Sequence, residues 1–138
     1  MREVPETTVR PVVLAGIILG VGLGGFIDGI VLHQMFQWHH MLTAYDHQHY
    51  PPTTVDGLKM NTLWDGIFHA SMWIATVTGL AVLWHAAGVP KIRWSAPALM
   101  GAILAGWGGF NLVEGTIDHQ ILGVHHVRDD LGDPLSWD

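Results

Sequence analysis

From Pro11 to Phe36 the chain carries a single charged residue, Asp28; from Met60 to Gly88 a single one, Asp65; and from Ser95 to Gly123 only Glu114 and Asp118. Each stretch exceeds the roughly 20 residues that a helix needs to cross a hydrocarbon core about 30 Å thick. A water-soluble reading would need three long buried helices with almost no polar face to cover them. The pattern therefore predicts three transmembrane helices, over 12–37, 60–87 and 96–122. Pro11 and Pro97 suit first turns, and Gly88-Val89-Pro90 stops the second helix. Trp38, Trp64, Trp84 and Trp94 fall near the predicted span ends, where aromatic belts lie. The expected fold is all-α, a transmembrane helical bundle forming one domain over residues 1–138.

Composition agrees with that reading: 49% of residues are hydrophobic, 13% are charged, and the mean hydropathy is +0.31. The first apolar stretch is too long for a cleaved signal peptide and has no small-residue cleavage site after it, so it reads as a retained span. Arg2 and Arg10 precede helix one, and Lys91 and Arg93 lie in the link after helix two. The 38–59 loop holds only Lys59 and the tail only Arg128. The positive-inside rule then puts the N-terminus and the 88–95 link in the cytoplasm, with the 38–59 loop and the tail outside. The net charge of -6 contains no basic run, so no nucleic-acid partner is expected. Rows of small residues (Gly16, Gly20 and Gly24 in helix one; Gly101, Ala105 and Gly109 in helix three) predict close helix packing in lipid.

Helices one and three repeat one pattern. The string DGIVLHQMFQWHH from Asp28 to His40 aligns without a gap with EGTIDHQILGVHH from Glu114 to His126. Acid, glycine, His-Gln and the terminal His-His pair all coincide, in helices that run the same way. Helix two adds Asp65 and His69 in WDGIFHASMW, four apart on one helical face. At about 1.5 Å rise per residue, Asp28, Glu114 and His69 reach a similar depth on the exterior side, roughly 6–8 Å from the midplane. His33, His119 and Asp65 form a layer roughly 12–15 Å up, and the pairs His39-His40 and His125-His126 reach the interface.

Ionisable groups inside a bilayer are expensive and normally face the bundle interior, where they pair or bind something. Imidazoles with carboxylates suit copper, zinc or iron better than magnesium or calcium. With no cysteine in the chain, disulfides, thiolate zinc sites and cysteine-held iron–sulfur clusters are excluded. The expected ligands are His33, His69 and His119, converging on one site, with some of His39, His40, His125 and His126. Asp28, Asp65, Glu114 and Asp118 are read as ligands or as groups orienting the rings. The duplication suggests two ions. The same residues could instead bind haem between two helices, relay protons, or hold helices together as His–carboxylate pairs. Asp46, His47 and His49 read as solvated loop residues, His85 as an interface residue, and Met35, Met41, Met60 and Met72 as packing. Both a metal-binding module serving a membrane or periplasmic metalloenzyme and a metalloenzyme, whether oxidoreductase or hydrolase, fit such a site.

The strings GLGGFIDGIVLHQMFQWHHM, WDGIFHA and FNLVEGTIDHQILGVHHVR resemble a family of bacterial integral membrane proteins classed as a domain of unknown function. The resemblance spans nearly the whole chain and implies a multi-pass protein of the bacterial inner membrane, but no activity. Members of that family continue past a Pro-Leu-x-Trp-Asp stretch into a fourth apolar helix, so PLSWD, Pro134 to Asp138, either leads into such a helix or closes a shortened version of the fold. A polar-cored bundle of three helices would otherwise need an oligomer or a partner to seal it. The histidines are loosely similar to the His boxes of membrane desaturases and alkane hydroxylases. Five residues separate His33 from His39-His40, wider than in those boxes, so an oxygenase is not inferred.

Overall fold

A computed structural model describes residues 8–44, 50–129, 131 and 136–138. Arg2 and the loop residues Asp46, His47 and His49 therefore lie outside the described residues. Three helices are long and apolar enough to cross a membrane: Arg10–Phe36, Val55–Ala87 and Ala96–Ile121. The first consists of α1 (Arg10–Ile27) followed by a π-helical segment, Asp28–Phe36. The second is α2 (Val55–Ala87), which begins five residues before its expected start because Thr54 caps it, its hydroxyl accepting the Gly57 N–H. The third is α3 (Ala96–Glu114), capped by Ser95 and continued by a π-helical segment, Gly115–Ile121.

Helix α1 is central and packs against both others, whereas the Cα atoms of α2 and α3 stay more than 8 Å apart. Glycine decides which face of α1 meets which neighbour. A Cβ at Gly20 would collide with the Ile103 carbonyl oxygen, and one at Gly106 with the Ile17 carbonyl oxygen. Those contacts are reciprocal under the 86-residue offset that aligns Asp28 with Glu114, so α1 and α3 pack about a quasi-two-fold axis. The adjoining stripe of α1 meets α2: Gly22 lies against Thr76, Gly25 against Met72 and Gly79 against Leu19. Lipid is as apolar as a leucine side chain, so such helices associate by close contact rather than by hydrophobic expulsion. Short side chains on a central helix supply that contact on two sides.

The duplicated motif ends in the same backbone turn twice. Gln37 has φ +52° and its repeat partner Gly123 has φ +58°, each directing the chain out of its π-helical segment. Glycine adopts this left-handed conformation freely, whereas a residue with a Cβ does so at a cost. Gly123→Ala should therefore lower stability by about 1 kcal/mol, and Gln37→Gly should leave it unchanged or raise it. Thermal unfolding of the two variants in detergent checks both signs. Equal melting temperatures for Gly123→Ala and the parent would contradict the expectation.

The segments beyond the two helices are tied together at one end of the bundle. The Ala44 N–H donates to the Val124 carbonyl, 3.0 Å away. Asn61, fully buried, accepts from the Leu42 N–H and donates to the Gly57 carbonyl, fixing the loop onto α2. At the other end Thr8 pairs with the 88–95 link, accepting from the Arg93 N–H at 2.9 Å and donating to the Lys91 carbonyl at 3.2 Å.

Candidate metal centre

The π-helical turns shape this site. Where i→i+5 bonding replaces i→i+4, residues five apart come onto one face. His33 Nε2 thus lies 3.3 Å from Asp28 Oδ2, and His119 Nε2 lies 3.0 Å from Glu114 Oε1. The regular α-helix expected here would have paired Glu114 with Asp118 instead. The left-handed residues then turn the chain back, so His39, His40, His125 and His126 leave the helices and fold inward. His39 and His125 are each about 1% exposed, as buried as His33.

Four imidazoles form the centre. The His39 and His125 rings stack at 4.8 Å with 9° between their planes; His33 meets His39 at 4.5 Å, and His119 meets His125 at 4.9 Å. The quasi-two-fold relates His33 to His119 and His39 to His125. Two groups bring one ligand atom from each member within 4.8 Å of one another: His33, His39 and His125, and Glu114, His119 and His125. Burial pushes the His39 ring down to about 4, helped by the neighbouring His125 and His33 rings, which keeps it neutral.

Two carboxylates brace the cluster from behind, in matching ways. Asp65 Oδ1 accepts from His33 Nδ1 (3.1 Å) and from the Met41 N–H (3.0 Å), and its Oδ2 accepts from His40 Nδ1 (2.6 Å). Asp138 Oδ1 accepts from the Val127 N–H (3.0 Å) and lies 3.4 Å from His119 Nδ1, while its Oδ2 accepts from His126 Nδ1 (2.6 Å). These three partners correspond pairwise under the same offset, and Asp65 Oδ2 also accepts from Gln34 Nε2 at 3.3 Å. Burial would raise the Asp138 carboxyl, but the Val127 N–H and the His126 ring hold it below the ordinary range. The Arg128 guanidinium lies over both Trp38 and Trp137, at 4.6 and 5.2 Å, fastening the tail beside the first helix.

Asp138 is the functional residue that sequence reasoning missed. The signal was the dipeptide Trp137-Asp138, which repeats Trp64-Asp65. In the opposite direction, His69 belongs to neither group of three. Its Nδ1 donates to the Asp65 carbonyl at 2.7 Å, and its ring edge abuts Gly29, where a Cβ would come within 2.6 Å of Nε2. The expected convergence of His33, His69 and His119 is thus replaced by one of His33, His39 and His125. Asp118 also stays out of the cluster, and His85 is exposed at the opposite end of α2.

Among the described residues three buried nitrogens have no hydrogen-bond partner: His33 Nε2, His39 Nε2 and His125 Nδ1. His33 Nε2 is near Asp28 Oδ2, but not in hydrogen-bonding geometry. In each ring the other nitrogen is engaged, by Asp65 on His33, the Val127 carbonyl on His39 and Glu114 on His125. A nitrogen facing a carboxylate or carbonyl carries the proton, so in neutral rings His39 Nε2 and His125 Nδ1 present lone pairs, whereas His33 Nε2, beside Asp28, would present one once a cation displaces its proton.

Fold and site together define an all-helical membrane protein with a buried histidine–carboxylate cluster at one end of its spans. The chain belongs to the family described as predicted membrane protein (DUF2243), which matches residues 15–138. No curated protein and no solved structure matches it.

Proposed function

We propose that this protein is an integral membrane metal-binding protein, with His33, His39 and His125 as the primary ligands of a copper, zinc or iron ion. One observation carries the reading: three unpartnered imidazole nitrogens on the three rings of one cluster, each ring held from behind by an acceptor. An orphaned buried polar atom costs about 1–3 kcal/mol, and three together form a concentrated penalty that a bound cation would relieve. The acceptors on the far nitrogens fix tautomer and ring orientation, as groups behind metal-bound histidines do. Asp28, beside His33 Nε2, is positioned to be a fourth donor. Glu114, His119 and His125 offer a second, adjoining position; ions at both would need His125 to give up its Nε2 proton and bridge them as an imidazolate, one nitrogen to each.

Metal analysis of protein purified without chelator or polyhistidine tag tests the reading. At least one equivalent of copper, zinc or iron per chain is expected. Protein that carries none, and takes up none when each ion is supplied, would overturn it.

The same reading sets the cluster near the exterior face, with the 88–95 link cytoplasmic. Single cysteines at Thr53 and Ala87 check this in intact cells. Thr53→Cys should react with an impermeant thiol reagent and Ala87→Cys should not; the reverse pattern would invert the orientation.

A further inference from the structure

A cavity of about 470 Å³ lies where the backbones of α2 and α3 stand apart, floored by α1. Small-molecule sites have volumes of roughly 300–1,000 Å³. Its wall is apolar over nearly all of its extent, with Ile17 and Val21 from α1, Phe68 from α2 and Phe110 from α3. The Phe68 and Phe110 rings are 6.1 Å apart and tilted by 39°. The exceptions to the apolar lining are two acids, Glu114 and Asp118. Glu114 is committed to His119 and His125. The Asp118 carboxyl makes no hydrogen bond or ion pair among the described residues, and only its backbone carbonyl is engaged, by the Val124 N–H.

Asp118 also stands outside the repeat, since the corresponding position on the first helix is Leu32. The packing of the two helices does not account for it, and it belongs to neither group of three. An acid at membrane depth is costly and normally serves a ligand or a pathway. A carboxylate only accepts hydrogen bonds, so the complementary ligand must donate one. The remaining wall calls for an apolar molecule that partitions from lipid, and the two phenylalanines favour an aromatic ring.

We propose that this cavity binds a membrane-soluble aromatic alcohol of the quinol class, its ring against Phe68 and Phe110 and a hydroxyl donated to Asp118. The proposal rests on the metal reading only in that Glu114, shared by cavity and cluster, would bring the bound molecule beside the ion; the binding step itself needs no metal. It thereby names the class of molecule that would reach the site from the bilayer.

The test is calorimetric titration of the detergent-solubilised full chain, as isolated and after metal stripping, with decyl-ubiquinol kept reduced under argon. The quinol should bind at one site per chain, with the oxidised quinone at least tenfold weaker because its carbonyls cannot donate. Asp118→Asn should weaken quinol binding about tenfold or more, the loss expected for a hydrogen bond to a charged acceptor. Gly109→Leu should abolish it: Gly109 lines the cavity, and a Cβ there meets nothing within 4 Å, so the helix tolerates a side chain that fills the space. Unchanged helical circular dichroism in both variants separates ligand loss from unfolding. Equal binding of quinol and quinone, unaltered binding in either variant, or equal competition by decanol would overturn the proposal. Quinol binding to a protein that takes up no metal sinks the metal reading alone. Metal uptake without quinol binding sinks this inference alone.

Discussion

His125→Ala is expected to reduce bound metal to below a tenth of an equivalent per chain under conditions where the parent holds at least one. His125 is the residue common to both three-ligand groups, so its removal leaves two donors in each. Among the described residues His40 and His126 turn Nδ1 to Asp65 and Asp138 and belong to neither group. Glu114→Gln should act more mildly. Its Oε1 holds His125 Nε2 and His119 Nε2, both at 3.0 Å, and loss of such an orienting group typically costs about 10–100-fold in affinity. Comparing the two variants and their double separates a metal site from a purely structural network. If the groups only pair with one another, each single change strands a buried partner and lowers the melting temperature, and the double change restores it. If they bind metal, the double variant stays metal-free and gains no stability. Metal content and melting temperature of the four proteins decide between the two.

Gly20→Ala and Gly106→Ala are expected to be the most disruptive single-methyl changes at the helix–helix interfaces. Each new Cβ would run into the facing helix's backbone carbonyl rather than a side chain that could rotate away. Helices α1 and α3 must then separate, and the motifs they carry move with them. Overpacking usually costs about 1–3 kcal/mol, and a backbone obstacle puts these two variants at the upper end. Gly66→Ala provides the control, because a Cβ there meets nothing within 4 Å. In a helix interior that change should stabilise, by up to about 1 kcal/mol. Denaturation in mixed micelles measures all three. Equal midpoints for Gly20→Ala and Gly66→Ala would show that the close approach of the two helices is not needed. The double variant Gly20→Ala, Gly106→Ala should also lose metal, since His39 and His125 reach the cluster from opposite sides of the same interface.

Much of this was legible in the chain itself. Spans without polar faces can only be membrane helices, because a soluble domain has no other way to cover them. Their ends were set by local chemistry, by Ser95 capping α3 and by glycine and proline after α2. The repeated acid, glycine and histidine positions identified helices one and three as copies and brought Asp28 and Glu114 to one depth and His33 and His119 to another. Depth follows from residue count at a fixed rise, so it needs no knowledge of packing.

Azimuth does not follow in the same way, and here the tertiary structure decided. The sequence pattern assumes one regular helical period, but both copies change to π-helical winding and then to a left-handed residue. A small change in winding rotates every later side chain. That is why His39 and His125, placed at the interface by residue count, turn into the centre, while His69 on the regular helix α2 remains aside. The bracing by Asp138 was likewise invisible to periodicity, because its segment follows no helical repeat and only contact with His126 and Val127 gives it a role. The sequence by itself determined that the chain spans a membrane, and which duplicated residues carry its chemistry. Which three clustered rings each leave a buried nitrogen unpartnered was decided by the winding of two helix ends and by the glycine contact that sets them side by side.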